Sequence, residues 1–318
     1  MDRANLVSLN ARPFSYATGA AFTAAGAICW SLGGALVRLT KDIDVWQIIF
    51  YRSITVIICT GLWLGIRFGS TLPALIAGAG INAAIAGLAV GTAGLAFVAS
   101  LFYTTVAQAI FMAGIAPFLS AMLGLWILRE PIPSITWTAM TVALAGMAII
   151  FYGSGGGGAF IGTVLALYSA FCFSCYAVLL RWGQRTEMSV ALIWNALYLI
   201  AICAIVILIP TGLRAGTGWA VFVIGWWNLA IVFAMGAVQL TLGLILFTAG
   251  SRSVPAAQLS LIALIEPTLS PLWAWFVVKE FPPVWTFAGG AAILCAIVIQ
   301  ALFSTSTKSH HARHRSRR

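Results

Sequence analysis

The chain has 318 residues, 62% of them hydrophobic and only 8% charged, whereas a water-soluble domain carries about 25% charged residues. That leaves too little polar surface to face water all round. The composition excludes a soluble globular protein and points to one of the bilayer, whose spanning helices run to about 20 residues. The net charge of +10 invites a nucleic-acid reading, but much of the excess lies in the last eleven residues, Lys308 to Arg318. With no interleaved aromatic, such a tail beside a span reads as a cytoplasmic anchor to anionic lipid, and no nucleic-acid partner is expected.

Ten apolar segments follow in chain order, at about 17–37, 45–66, 81–102, 105–128, 134–152, 159–181, 189–210, 228–249, 254–278 and 284–304. Arg3 and Arg12 precede the first without a convincing cleavage site, so it reads as an uncleaved span. The run Gly153 to Gly158 links the fifth and sixth segments; it lacks the lysine and strand–helix context of a phosphate loop and reads as a hinge. Thr211 to Trp227 is the longest loop, and its Trp219, Trp226 and Trp227 read as interfacial aromatics. The six cysteines all lie in apolar runs, and Cys172 and Cys175 have CxxC spacing. With no histidine inside the spans, small packing residues are the better reading, and neither metal nor cofactor is expected.

Two stretches repeat at a constant offset of 150. Ala107-Gln108, Pro117, Leu119-Ser120, Glu130 and Pro133 match Ala257-Gln258, Pro267, Leu269-Ser270, Glu280 and Pro283. Cys29-Trp30-Ser31 with Arg38 matches Cys172-Phe173-Ser174 with Arg181 at an offset of 143. The chain therefore divides into residues 1–152, residues 159–304 and a basic cytoplasmic tail, 305–318. Five spans per half invert the second half relative to the first, and transporters built from two such repeats hold substrate where the halves meet. Arg67, Arg129, Arg181, Arg185, Arg252 and the basic tail favour both termini inside, although without the two tails the bias nearly vanishes.

Several residues stand out against the apolar background. Pro117 and Pro267 deny the carbonyls of Ala113 and Ala263 their helical donors, and Pro271 does the same to Pro267. The fourth and ninth spans are therefore expected to kink and to wall a central cavity, although prolines are common in membrane helices anyway. Glu266 is the only acid well inside a span. A charge at that depth costs about 2.5–3.5 kcal/mol on insertion scales, so it is a candidate for proton coupling or for binding a cationic substrate. The competing reading is a structural acceptor. Arg52, the only basic residue in a span interior, is a partner for Glu266 or a substrate carboxylate, or else snorkels to the surface. Gln108, Gln258 and Gln239 suit polar solutes, but equally glue helices together. Trp30 with Ser31 beside it, Tyr103, Phe111, Tyr168, Phe173, Tyr176 and Trp194 could line the cavity, although any single aromatic is more often core.

Enzyme signals are missing. There is no HExxH, no G-x-S-x-G and no pair of carboxylates within the spans, and only seven acids in the whole chain. The sequence resembles the EamA type of the drug/metabolite transporter superfamily. Ala27 to Gly34, Tyr51-Arg52-Ser53 and Tyr103 to Gln108 carry the resemblance, with Pro117 through Pro131 and Ile265-Glu266-Pro267 through Glu280. It implies an all-α integral membrane fold of ten helices in two inverted five-helix repeats. It further implies a cavity lined by helices one, three, four, six, eight and nine, alternating access, and export of metabolites or drugs. The expected protein is a secondary exporter of small metabolites, amino acids or their analogues, in a bacterial inner membrane, as monomer or homodimer. The alternatives are a nucleotide-sugar or other organic-anion exchanger, which usually needs more buried base than Arg52, and a non-transporting membrane enzyme or assembly protein.

Overall fold

The computed structural model describes residues 15–153, 160–184, 186–208, 223–279 and 283–315. Its helices are α1 (Tyr16–Leu39), α2 (Val45–Phe68), α3 (Leu72–Ser100), α4 (Val106–Ala113, Ala116–Leu123 and Gly124–Leu128) and α5 (Ser134–Gly153). The second half supplies α6 (Phe160–Trp182), α7 (Ala191–Leu208), α8 (Trp226–Gly250), α9 (Ala256–Ala263 and Ile265–Val278) and α10 (Val284–Arg315). Among the described residues, nine stretches are long and apolar enough to cross a membrane; one of them, Val45–Ser100, runs to 56 residues and holds both α2 and α3. Gly69 (φ 52°) and Gly80 (φ 61°, ψ −161°) turn the chain within that stretch. The second conformation is open to glycine alone, so the membrane run of α3 begins after Gly80 and residues 72–79 form a short connecting helix. The hinge 154–158, Trp219, Arg185 and Glu280 lie outside the described residues.

Local chemistry sets several boundaries. Asp44 and Gln47 form a reciprocal capping box at the start of α2. Ile58, Leu62 and Ile66, one helical turn apart, stand exposed along α2. Such a stripe is at home only in lipid, which also requires every backbone group to be satisfied within the fold.

The halves interlock. Helix α1 lies against α8 as α6 lies against α3, α1 against α9 as α6 against α4, and α2 against α8 as α7 against α3. Three further pairs, α2–α7, α4–α9 and α5–α10, each join equivalent helices. The duplication in sequence is thus a duplication in packing. Lipid offers no hydrophobic drive between helices, so close backbone approach takes its place. A Cβ built on Gly146 of α5 would sit 2.7 Å from the carbonyl oxygen of Gly289 on α10, a spacing that only glycine permits. Arg129 (φ 55°) and Lys279 (φ 63°), 150 residues apart, both end their helices in the left-handed conformation. Such a conformation is uncommon for long side chains, and the shared cap shows the repeat surviving at the level of single dihedrals.

Candidate functional site at mid-depth

Four helices are irregular near their midpoints. Helix α1 is interrupted at Leu32, α4 at Gly114–Ile115 and α9 at Leu264, while α8 carries a π-helical stretch, Met235–Leu242. Pro117 and Pro267 lie in the first turn of the segments that restart after two of these breaks. The breaks are tightened turns rather than unwound backbone: the Gly114 N–H reaches the carbonyls of both Ile110 and Phe111, and the Leu264 N–H reaches that of Leu261. Pro271 sits within Ile265–Val278, which runs on past it.

Polar groups at the breaks are shared between helices. The Ser174 hydroxyl of α6 donates to the carbonyl of Ala116 at 2.9 Å. The Ser270 hydroxyl of α9 donates to the carbonyl of Ser31 at 3.0 Å, and the Trp273 indole donates to the Ser31 hydroxyl at 2.8 Å. Ser31 in turn donates to the Ile28 carbonyl. Its hydroxyl is therefore engaged in joining α1 to α9.

The structure brings Trp30, Phe173 and Tyr176 together and adds Phe247 of α8. The Trp30 and Phe247 ring centroids are 4.9 Å apart, Trp30 meets Phe173 edge-on at 6.0 Å, and Tyr176 stacks on Phe247 at 6.0 Å. Tyr176 and Phe247 are fully buried, and the Tyr176 hydroxyl lies 3.4 Å from that of Thr248. Phe111 stacks instead on Phe151 of α5 at 5.1 Å, and Tyr103 and Tyr168 are each 49% exposed. Gln108 donates to Thr163 of α6 at 2.6 Å and Gln258 to Thr136 of α5 at 3.3 Å, so both repeated amides tie helices together.

Gln239, Arg52 and Glu266 behave differently. Gln239 lies in the π-helical stretch against the α1 break: a Cβ on Gly33 would fall 2.5 Å from its Nε2. Trp30 lies one turn away, against Gly243. The carbonyl of Arg52 lies 2.9 Å from a Cβ built on Gly236, one turn before Gln239. Trp30 Nε1, Gln239 Oε1, Thr241 Oγ1 and Arg52 Nε are buried without a hydrogen-bond partner among the described residues. Glu266, at the α9 break and one turn from Ser270, makes no hydrogen bond or ion pair among them either, and the alternative of an Arg52–Glu266 pair is not realised. Leaving one such group unsatisfied costs about 1–3 kcal/mol. A donor and an acceptor thus stand with unused capacity beside the wall of aromatic rings, the Glu266 carboxyl stands so at the α9 break, and Arg52 lies on α2, whose backbone packs against α8. Among the described residues no cluster of His, Cys, Asp or Glu could hold a metal ion.

The α1 break, the π-helical stretch, Phe247 and Trp273 went unread in the sequence. Gly33-Gly34 was the available signal for the first, and nothing in an evenly apolar segment marks the others.

Broken helices from two equivalent halves, meeting around polar groups at mid-depth, define a polytopic membrane protein of the transporter kind. The EamA-like transporter family matches residues 17–152 and 160–302, and the chain belongs to that family. A Vibrio cholerae serotype O1 protein described as an uncharacterized transporter is 26% identical over 206 residues, which cover 64% of this chain and 63% of that protein. A solved crystal structure superposes with a TM-score of 0.72 over 91% of this chain and 98% of its own at 17% identity, a likeness of fold.

Proposed function

We propose that the protein is a secondary transporter that exports small, partly apolar metabolites, amino acids or their analogues with drugs as a further class, across a bacterial inner membrane. The halves run through the bilayer inverted, both termini face the cytoplasm, and the site opens alternately to either side. One observation carries the reading: Trp30, Gln239 and Glu266, at the α1, α8 and α9 irregularities, carry polar atoms that find no hydrogen-bond partner among the described residues. Opposite charges that do not pair with each other suit a zwitterion, whose ammonium would meet Glu266 and whose carboxylate would meet Arg52. The Trp30, Phe173, Tyr176 and Phe247 rings would hold its apolar part. Glu266 is also the group through which export would couple to protons, since it is a carboxyl inside a span that makes no hydrogen bond or ion pair among the described residues.

The test is Glu266→Gln in liposomes. Transport driven by a pH gradient disappears while exchange of substrate for substrate persists. If pH-driven transport survives, the coupling role is wrong. Arg52, whose Nε is buried without a hydrogen-bond partner among the described residues, favours organic-anion exchange as the second reading. Thermal stabilisation against amino acids, nucleosides, cationic drugs and nucleotide sugars separates the two, since a ligand at 100 times its Kd adds about 2.7 kcal/mol.

A further inference from the structure

A charged network lies away from the centre, at the end of the bundle where α4, α6 and α8 finish and α9 begins. The left-handed turn at Arg129 swings the chain so that Glu130 points back into the bundle. Its Oε1 accepts from Arg181 at the end of α6, from Nε at 2.9 Å and from Nη2 as well. Its Oε2 accepts from the backbone N–H of Ala256, the first residue of α9, at 3.3 Å, where a negative charge also meets the positive end of the helix. Arg181 Nη1 donates to the Ser251 carbonyl in the α8–α9 turn at 2.9 Å. One carboxylate therefore joins α4, α6, the α8–α9 turn and α9. Just inside, the Ser120 hydroxyl of α4 and the Ser260 hydroxyl of α9 share a hydrogen bond, beside a small cavity also lined by Glu130, Thr136 and Gln258. The ion-paired side chains are only 15% and 22% exposed, so this is not a solvent-screened surface pair.

We propose that Glu130 is the keystone of a latch that holds this end of the pathway shut, and that the site becomes accessible from this end only when Glu130 releases both Arg181 and the start of α9. Helices α4 and α9 carry the mid-span breaks at Ile115 and Leu264, so the segments beyond those breaks are free to swing once released. Glu130 is a positioning residue, since it sits a half-span from the mid-depth groups. The inference rests on the alternating-access reading.

The full chain carrying Ser260→Cys reports the opening, because residue 260 is buried between α4 and α9. A small maleimide is applied without substrate, and alkylation is followed peptide by peptide by mass spectrometry, which separates the new thiol from the native cysteines. Glu130→Gln removes the charge from a charge-assisted bond, and the alkylation rate at 260 rises about tenfold; Arg181→Gln has the same effect. A second reporter, Ser169→Cys, lies buried at the α3–α6 contact, where the serine donates to the Ala93 carbonyl, and its rate stays unchanged. An unchanged rate at 260 in Glu130→Gln overturns the latch, and so does an equal rise at 169, which means the whole bundle has loosened. Labelling needs no transport, so this failure is distinguishable from failure of the transport reading, which shows as an absence of exchange in liposomes.

Discussion

Gly33→Ala separates a Gln239 that serves substrate from one that merely fills space. The new Cβ would lie 2.5 Å from Gln239 Nε2 and 3.0 Å from its Cδ, where ordinary contact begins near 3.4 Å. The amide must retreat by about 0.9 Å. That movement is cheap for the fold, because it is the free end of a flexible side chain that yields. Alanine is also favoured over glycine in a helix by about 0.8–1 kcal/mol, so stability stays near that of the parent. The cost falls on the ligand instead. Losing one hydrogen bond to it weakens binding by about 0.5–1.5 kcal/mol, or roughly 2–13-fold. Half-saturation of exchange in liposomes reads the second quantity and thermal unfolding in detergent the first. Gly34→Ala, whose Cβ meets nothing within 4 Å, is the internal control and changes neither. If Gly33→Ala and Gly34→Ala show the same half-saturation, Gln239 does not touch the transported molecule.

Packing makes further predictions. Gly146→Ala forces a methyl group against the α10 backbone at Gly289 and lowers stability by about 1–3 kcal/mol; a melting curve matching the parent would contradict the close α5–α10 approach. Phe247→Ala removes the ring that meets Trp30, Phe173 and Tyr176 and costs about 3–5 kcal/mol. Equilibrium unfolding in detergent measures it, and a loss under 1 kcal/mol would mean that the cluster is not packed.

Hydropathy and the repeat were enough to read the spans. Segments expected at 134–152 and 159–181 are helices Ser134–Gly153 and Phe160–Trp182, because bilayer thickness fixes helix length and polar residues fix the ends. The third span was expected from 81, and the structure places a glycine-only conformation immediately before it, at Gly80. The azimuth of each helix was not. A helix that is apolar all round carries no stripe to say which face meets a neighbour. Phe111 and Phe173 therefore looked alike in sequence, although one stacks on Phe151 and the other joins Trp30. The repeated glutamines were conspicuous, but their threonine partners on α5 and α6 depend on tertiary packing. Glu130 was visible as half of a duplicated motif, yet its reach to α6 and α9 depends on the left-handed turn at Arg129.

Counterflow tests the central claim most directly. The purified chain is reconstituted into liposomes preloaded with an unlabelled amino-acid mixture, and uptake of the same mixture in labelled form is followed at equal concentrations on both sides. Alternating access predicts uptake that saturates and that accelerates with the internal load. Flux that grows without saturation and ignores the internal load would mean an open pore, and would contradict the account.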